Sequence, residues 1–276
     1  MNNFSGKVAV VTGAGSGIGR CLATQLAQQG CSVALADIDE EMLAQSRDAI
    51  VAQLGSGTDV TLSVHKVDVA NQAQVEEFAM KVMELHGKVN LVINNAGVAL
   101  GATVDQAQYD DMHWLMNINF WGVVHGCKAF LPFLKQSGDG YIVNVSSVFG
   151  LMAVPTQSIY NASKFAVRGF SEALRLELLD HPVTVSTAFP AGIKTNIAKN
   201  ARMTLDESAA GLAPDQRKDE MEKLFINTAE DAAKEILAGV KKSKPRILVG
   251  KGAGWVDFFT RLMPIFVSRF VAGKVK

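Results

Sequence analysis

Short apolar runs alternate along the chain with longer stretches in which apolar residues recur at helical spacing. Seven runs have the composition of buried strands: KVAVVTG (7–13), SVALAD (32–37), DVTLSVHKVDV (59–69), VNLVINNAG (89–97), GYIVNVSS (140–147), VTVSTAFP (183–190) and PRILVG (245–250). They are apolar throughout, which is typical of strands in a parallel sheet covered by helices on both faces. The pattern therefore predicts an α/β chain with a doubly wound sheet. The longest helical stretch between strands is predicted from about residue 104 to 135.

No linker, repeat or change in composition divides the 276 residues, so we expect a single domain, 1–276. Lysine plus arginine and aspartate plus glutamate both number 27, which gives no net charge to attract nucleic acid or an anionic membrane. The N-terminus lacks a signal-peptide layout and no apolar run is long enough to cross a bilayer, so a cytoplasmic protein is predicted. The three cysteines and five histidines show no metal-ligand spacing. We predict no metal, buried cysteines and surface or capping histidines, His65 among them.

A glycine-rich segment, TGAGSGIG (12–19), lies between the first predicted strand and the first predicted helix. A helix N-terminus at this place binds phosphate groups through free N–H groups and its positive dipole end. Gly13 and Gly15 match the common dinucleotide fingerprint, but Ile18 occupies the place of its third glycine. The spacing that does hold is Gly13, Gly17 and Gly19. The segment predicts a dinucleotide site, and a tight turn without a ligand is the alternative.

Asp37 ends the second predicted strand, 18 residues after Gly19. A carboxylate at this place can accept hydrogen bonds from both hydroxyls of an adenosine ribose. A 2'-phosphate would meet like charge there, and the neighbouring Ile38 offers no arginine to offset it. The sequence therefore favours NAD over NADP, with a solvated strand-end carboxylate as the alternative.

Tyr160 and Lys164 lie four residues apart in YNASK (160–164), within a predicted helix. Residues at this spacing share one helix face, so the phenol and the ammonium can meet over one bound molecule. A nearby positive charge favours the phenolate, which would lower the pKa of Tyr160. The alternative is a tyrosine that packs in the core and a lysine that extends into solvent.

Together with five further short motifs, these segments make the chain resemble the short-chain dehydrogenase/reductase family over roughly residues 5 to 250. The further motifs are DV (68–69), NNAG (94–97), NFWG (119–122), VSS (145–147) and PAGIKT (190–195). The resemblance implies a Rossmann-type fold with a seven-stranded parallel sheet of order 3-2-1-4-5-6-7 and helices on both faces. It also implies NAD(P)-linked oxidation of alcohols or reduction of ketones.

The resemblance assigns catalytic roles to four residues. Tyr160 would act as general acid/base, and Lys164 would favour its phenolate and hold the nicotinamide ribose hydroxyls. Ser147, thirteen residues before Tyr160, would hydrogen-bond the substrate oxygen, whereas Ser146 would serve structure or cofactor contact. Asn119 resembles the asparagine that helps to hold a water linking Lys164 to solvent.

The resemblance also implies a cofactor-binding set, in which Thr195 would hold the nicotinamide carboxamide. The set is Gly13, Ser16, Gly17, Ile18, Gly19, Asp37, Asp68, Val69, Asn95, Ala96, Gly97, Tyr160, Lys164, Pro190, Ile193 and Thr195. One departure is that the family usually has Pro-Gly after the sixth strand, whereas this chain has Pro190, Ala191 and then Gly192. If the backbone at position 191 needed a positive φ, Ala191 would be strained.

Three segments are predicted to surround the substrate: VALGAT (98–103), VFGLMAVPT (148–156) and a lid at about 196–227. Their apolar residues suit a secondary alcohol or ketone on a hydrophobic steroid-, terpenoid- or acyl-like body, although core packing explains the same residues. In the lid these are Met203, Leu205, Leu212, Met221, Leu224 and Phe225. Two other functions stay open: a non-catalytic NAD(H)-binding sensor or scaffold, and an NADP-linked carbonyl reductase.

The C-terminal extension, about 253–276, has apolar residues at helical spacing, interrupted by Pro264. They are Trp255, Phe258, Phe259, Leu262, Phe266 and Phe270. We expect this segment to pack on the substrate pocket or on a second subunit, with contact with a membrane surface as the less favoured alternative. The family resemblance implies a homodimer or homotetramer that pairs the helices containing Asn119 and Phe170.

Overall fold

Seven parallel strands form the centre of the protein, whose computed structural model describes residues 1–55, 58–197, 200–203 and 226–275. The strands are β1 (Val8–Thr12), β2 (Ser32–Asp37), β3 (Leu62–Lys66), β4 (Leu91–Asn94), β5 (Gly140–Val145), β6 (Val183–Pro190) and β7 (Arg246–Val249). Their order in the sheet is β3-β2-β1-β4-β5-β6-β7, and every neighbouring pair is parallel. The predicted fold class and strand order are confirmed.

The helices follow the strands in the predicted alternation. They are α1 (Gly17–Gln28), α2 (Glu40–Leu54), α3 (Gln72–His86), α4 (Tyr109–Met116), α5 (Gly122–Gln136), α6 (Ser158–Glu177), α7 (Ala229–Lys241), α8 (Ala253–Leu262) and α9 (Pro264–Val275). Side chains of Asp39, Asn71 and Thr228 accept a first-turn N–H and begin α2, α3 and α7. None of the helices described here is long and apolar enough to cross a membrane.

Two apolar layers cover the two faces of the sheet. Because successive strand residues point to opposite faces, β1 contributes Val11 to one layer and Val10 to the other. The Val11 layer includes Leu22 of α1 and Ile236 of α7. The Val10 layer includes Phe130 of α5 and residues of α3 and α6. Helices on both faces leave the carboxyl ends of the strands as the place for a ligand.

Several predicted elements differ in extent from the observed ones. The stretch predicted as one helix from 104 to 135 begins at Tyr109 and contains a π-helical turn, Asn117–Trp121. The third strand covers Leu62–Lys66 rather than 59–69. His65 is buried, with its ring centroid 4.8 Å from that of Phe78, so its prediction as a surface or capping residue is wrong. Of the three cysteines, Cys31 and Cys127 are buried as predicted.

A small second sheet near the predicted lid was not expected. It pairs Leu100–Gly101 with Arg202–Met203 in parallel. Residues 198–199 and 204–225 of the predicted lid lie outside the described residues, and with them Leu205, Leu212, Met221, Leu224 and Phe225. The C-terminal extension forms α8 and α9, which are separated at Met263. Pro264 is the first residue of α9, where a helix needs no backbone N–H.

Candidate active site

A cleft of about 880 Å³ opens at the carboxyl ends of the strands. Sixteen of the eighteen predicted site residues line it: Gly13, Ser16, Gly17, Ile18, Asp37, Asp68, Val69, Asn95, Ala96, Gly97, Ser147, Tyr160, Lys164, Pro190, Ile193 and Thr195. Gly19 and Asn119 do not line it. The sheet therefore gathers residues from six of the seven motifs around one cavity, all except NFWG (119–122).

The glycines of the loop after β1 allow three close approaches of the backbone. Gly13 has φ +67°, and a Cβ there would lie 2.9 Å from the Cα of Ala96. Gly17 has φ +51°, and its Cβ would lie 3.1 Å from the side chain of Thr195. A Cβ on Gly19 would lie 2.0 Å from the Gly13 carbonyl oxygen, so this glycine supports the loop from behind the cleft. This packing explains the spacing 13, 17 and 19.

The N-terminus of α1 has the features of a phosphate site. Its N-cap residue Ser16 makes no capping hydrogen bond with its side chain, unlike the N-caps of α2, α3 and α7. First-turn N–H groups have no partner within a helix, so those of α1 can bind an anion in the cleft. The loop before α1 is held by Arg20 and by the fully buried Ser46, which both donate hydrogen bonds to the Gly15 carbonyl. Neither residue belongs to a motif, so this role was not predictable from the sequence.

Asp37 lies at the carboxyl end of β2, as predicted. One carboxylate oxygen accepts from Gly15 N at 2.9 Å and the other from Asp39 N at 3.2 Å. A carboxylate has about four acceptor positions, so it can also accept ribose hydroxyls from the cleft. Ile38 beside it lines the cleft with an exposed apolar side chain. The residues present therefore fit the adenosine end of NAD.

Thr12 and Asn95 fix the ends of β1 and β4 to each other. The Thr12 hydroxyl accepts from the backbone N–H groups of Asn95 and Ala96, at 3.0 and 3.1 Å. The Asn95 amide donates to the Thr12 carbonyl at 3.0 Å. The Asn95 side chain is thus bonded to the protein backbone, and it shapes the cleft by holding the ends of the two strands together. The role of Thr12 was missed in the sequence, although it is the first residue of the glycine-rich segment.

Tyr160 and Lys164 face the same cleft from α6, and both are buried. The Lys164 ammonium lies 5.7 Å from the centroid of the Tyr160 ring and donates to the Val145 carbonyl at 3.2 Å. The Ser147 hydroxyl is hydrogen-bonded to the Tyr160 phenol. Ser146 instead donates to the Lys164 carbonyl at 2.8 Å and supports the helix. The alternative of a Lys164 that extends into solvent is wrong. The predicted contact of Ser147 with the substrate oxygen stays a prediction.

Burial governs the ionisation of this pair. It raises the pKa of Tyr160 to about 12, although the hydrogen bond from Ser147 opposes the rise. It lowers the pKa of Lys164 to about 8. The expectation that Lys164 lowers the pKa of Tyr160 is therefore wrong for the protein's own groups, because desolvation outweighs a cation that is bonded to the Val145 carbonyl. At neutral pH the phenol is protonated and the lysine is charged.

Asn119 lies in the π-helical turn, fully buried behind the cleft. Its side-chain oxygen accepts from Val98 N at 2.8 Å, and its side-chain nitrogen donates to the Val98 carbonyl at 2.9 Å and to Ser163 Oγ at 3.3 Å. A Cβ on Gly97 would lie 3.2 Å from the Asn119 side-chain oxygen and 3.4 Å from Lys164 Nζ. Asn119 therefore fixes the segment after β4, and its predicted contact with a water stays a prediction.

The backbone after β6 shows no strain at Ala191. Among the described non-glycine residues, only Thr156 and Ser243 have positive φ. The left-handed position falls on Gly192, at φ +51°. The expected strain at Ala191 is therefore absent, because the glycine one place later supplies the turn.

The far end of the cleft has an apolar wall. Its residues include Val98, Phe149, Met152, Ile197 and, from α8, Val256. The Phe149 ring packs edge-on against the Tyr160 ring, with centroids 5.9 Å apart. Polar side chains that also line this end include Gln157, Asn200, Asn227 and Lys251. All three predicted substrate segments thus contribute to the wall, the lid through Ile197, and the C-terminal extension packs on the pocket through Val256.

Comparisons with known proteins match this arrangement. The family model described as short chain dehydrogenase matches residues 7–206. SadH of Mycobacterium tuberculosis, which is named as an oxidoreductase, is 44% identical over 100% of this chain and 97% of its own length. A 3-ketodihydrosphingosine reductase of Bacteroides thetaiotaomicron is 33% identical over 72% of this chain and 68% of its own. The crystal structure of a short chain dehydrogenase/reductase from Burkholderia phymatum in complex with NAD has a TM-score of 0.84 and 32% identity, and covers 97% of each chain.

Proposed function

The chain belongs to the short-chain dehydrogenase/reductase family, and from this we propose that it is an NAD-dependent oxidoreductase that interconverts a secondary alcohol and a ketone. The observation that carries the proposal is the contact of Ser147, Tyr160 and Lys164 at the end of a cleft that also contains the uncapped N-terminus of α1 and Asp37. Asp37 and Ile38 favour NAD over NADP as the cofactor. The NAD in the Burkholderia phymatum complex supports the same choice.

The residues divide the work of binding along the cleft. We propose that first-turn N–H groups of α1 bind the diphosphate, that Asp37 binds the adenosine ribose and that Lys164 binds the nicotinamide ribose. Thr195 would hold the carboxamide. Bound NAD would supply the acceptor or donor of the hydride.

The chemical step requires a proton at the substrate oxygen. In the reducing direction the Tyr160 phenol donates its proton to that oxygen, while the Ser147 hydroxyl hydrogen-bonds it. The Lys164 ammonium then stabilises the phenolate that remains. Burial raises the pKa of Tyr160, so the protonated phenol that ketone reduction requires is the prevailing form near neutral pH. We infer that alcohol oxidation gains relative to ketone reduction as pH rises.

The substrate class is proposed from the apolar wall. Val98, Phe149, Met152, Ile197 and Val256 favour a hydrophobic body such as a steroid, terpenoid or acyl chain. One similar protein is named as a reductase of 3-ketodihydrosphingosine, which supports a ketone substrate. The alternative of a non-catalytic NAD(H) sensor or scaffold gains no support from the catalytic set, because none of its four residues is replaced.

Replacement of the proposed acid/base tests this function. Tyr160→Phe is expected to fold and bind NADH, measured by NADH fluorescence, but to reduce hydrophobic ketones at least about a hundredfold more slowly. The matched control is Tyr109→Phe, because Tyr109 is 78% exposed and lies outside the cleft. Near-normal turnover by Tyr160→Phe would contradict the assignment. NADH binding by the wild type without turnover of any ketone or alcohol, with NAD or NADP, would favour the sensor.

A further inference from the structure

Gln157 is a buried polar residue without a hydrogen bond from its side chain. It is the N-cap residue of α6, three residues before Tyr160, and only 7% of it is exposed. Its side chain makes no capping bond, and within the described part of the chain its amide bonds to no other group. It nevertheless lines the cleft. Because the amide faces the open cleft, the bonding groups that the described residues leave unused are available to a ligand there.

Asn161, four residues after Gln157, is a buried amide whose role is structural. Its nitrogen donates to the carbonyls of Phe149 and Met152, at 2.7 and 2.8 Å, and its oxygen accepts from Val154 N at 3.1 Å. Asn161 therefore holds the loop after β5 with all its bonding groups used. The side chain of Gln157, one helical turn away, makes no hydrogen bond to any described residue.

The backbone fixes Gln157 in its place. Thr156, the residue before it, has φ +65°, a conformation that non-glycine residues rarely adopt. The Thr156 carbonyl accepts from Ala102 N at 2.9 Å, and residues 102 and 157 form an isolated parallel bridge. A strained residue that the surrounding structure locks in place is characteristic of functional sites.

The surroundings of the amide are apolar. A Cβ on Gly101 would lie 3.7 Å from Gln157 Nε2, and Met203 packs against the same glycine. Tyr160, Met203 and Ile197 belong to one apolar cluster at this end of the cleft. The amide therefore offers a hydrogen-bonding group directly beside the apolar side chains of the cleft wall.

We propose that Gln157 recognises a second oxygen of the substrate, three bonds from the reacting carbon. Residues three apart on a helix have Cβ atoms about 5–6 Å apart, so this amide and the Tyr160 phenol can contact two oxygens of one small molecule. An amide both donates and accepts, so it suits a carbonyl or a hydroxyl. The substrate class becomes a β-oxygenated ketone or alcohol on an apolar body. This inference rests on the proposed function and names the substrate class of the same site.

Two ketones of equal chain length test the inference. Ethyl butyrylacetate has an ester one methylene from the ketone, and propyl pentyl ketone has two methylenes in place of that ester. The wild type is expected to favour the ester in kcat/KM by at least about tenfold. Gln157→Leu is expected to lose at least about tenfold on the ester and to stay within about threefold on the simple ketone. The control Gln136→Leu, on an exposed residue outside the cleft, is expected to behave as wild type.

Two readouts without turnover keep the inference separate from the proposed function. Calorimetry on the protein in complex with oxidised NAD, which cannot reduce a ketone, is expected to show the same preference for the ester, lost in Gln157→Leu. This result decides the role of Gln157 even if the wild type reduces neither ketone, an outcome that would count against the proposed function alone. The Tm of Gln157→Leu is expected to equal or exceed that of wild type, because no bond is lost. A retained preference, or equal loss on both ketones with a lowered Tm, would overturn the inference.

Discussion

Lys164 is a cation inside the protein, and its charge depends on pH near neutrality. Burial lowers its pKa to about 8, and it donates a hydrogen bond to the Val145 carbonyl. An ammonium has three donors, so two remain for ribose hydroxyls in the cleft. In the proposed mechanism the same charge would stabilise a Tyr160 phenolate. One titration would then affect both cofactor binding and proton transfer.

The affinity for NADH is expected to fall as pH rises through 8. A lysine with a lowered pKa loses its charge above that value, so at pH 9 about one molecule in ten keeps it, and the Kd for NADH should rise by up to about tenfold between pH 7 and 9. Lys164→Arg stays charged throughout this range and should give a flat profile, although at weaker affinity. Fluorescence titration of NADH at several pH values measures both. A flat wild-type profile would contradict the role of the Lys164 charge.

At the scale of elements, the turn from β1 into α1 depends on Gly19. A Cβ there would meet the Gly13 carbonyl oxygen at 2.0 Å, a backbone atom that cannot move without opening the loop. We expect Gly19→Ala to weaken NADH binding by at least about a hundredfold, in line with the loss of a preformed phosphate site. The control is Gly254→Ala on α8, where a Cβ would meet nothing within 4 Å. Equal NADH affinity in both variants, measured by fluorescence, would show that the loop tolerates the methyl group.

The sequence predicted those elements whose signals are local. Apolar runs with glycine stops predicted the seven strands and their helices, and the 18 residues from Gly19 to Asp37 predicted a carboxylate at the end of β2. The π-helical turn was not predictable, because it accompanies bonds between Asn119 and Val98, 21 residues apart. The raised pKa of Tyr160 was missed for the same reason. It depends on burial, which the complete fold creates.

At the scale of the whole molecule, α8 and α9 expose an apolar surface on the side that faces away from the cleft. The inner face of α8 packs Ala253 and Val256 against the pocket wall. Its Asp257 pairs with Arg246 and Arg261. The outer face of α8 exposes the large side chains of Trp255 (69%), Phe258 (54%) and Leu262 (63%), and α9 exposes Phe266 (62%). These residues are called the outer face. Contiguous apolar surface of this kind is typical of an interface.

We expect this outer face to pack on a second copy of the chain. The formal net charge is zero, which favours a subunit over an anionic membrane surface. Replacing Trp255 and Phe258 together by serine should shift the protein toward smaller assemblies in analytical ultracentrifugation. Met80→Ser is the control, since Met80 is 62% exposed on α3, away from this face. Unchanged assembly with lost binding to phospholipid vesicles would instead favour the membrane, because the same side chains would then insert into lipid.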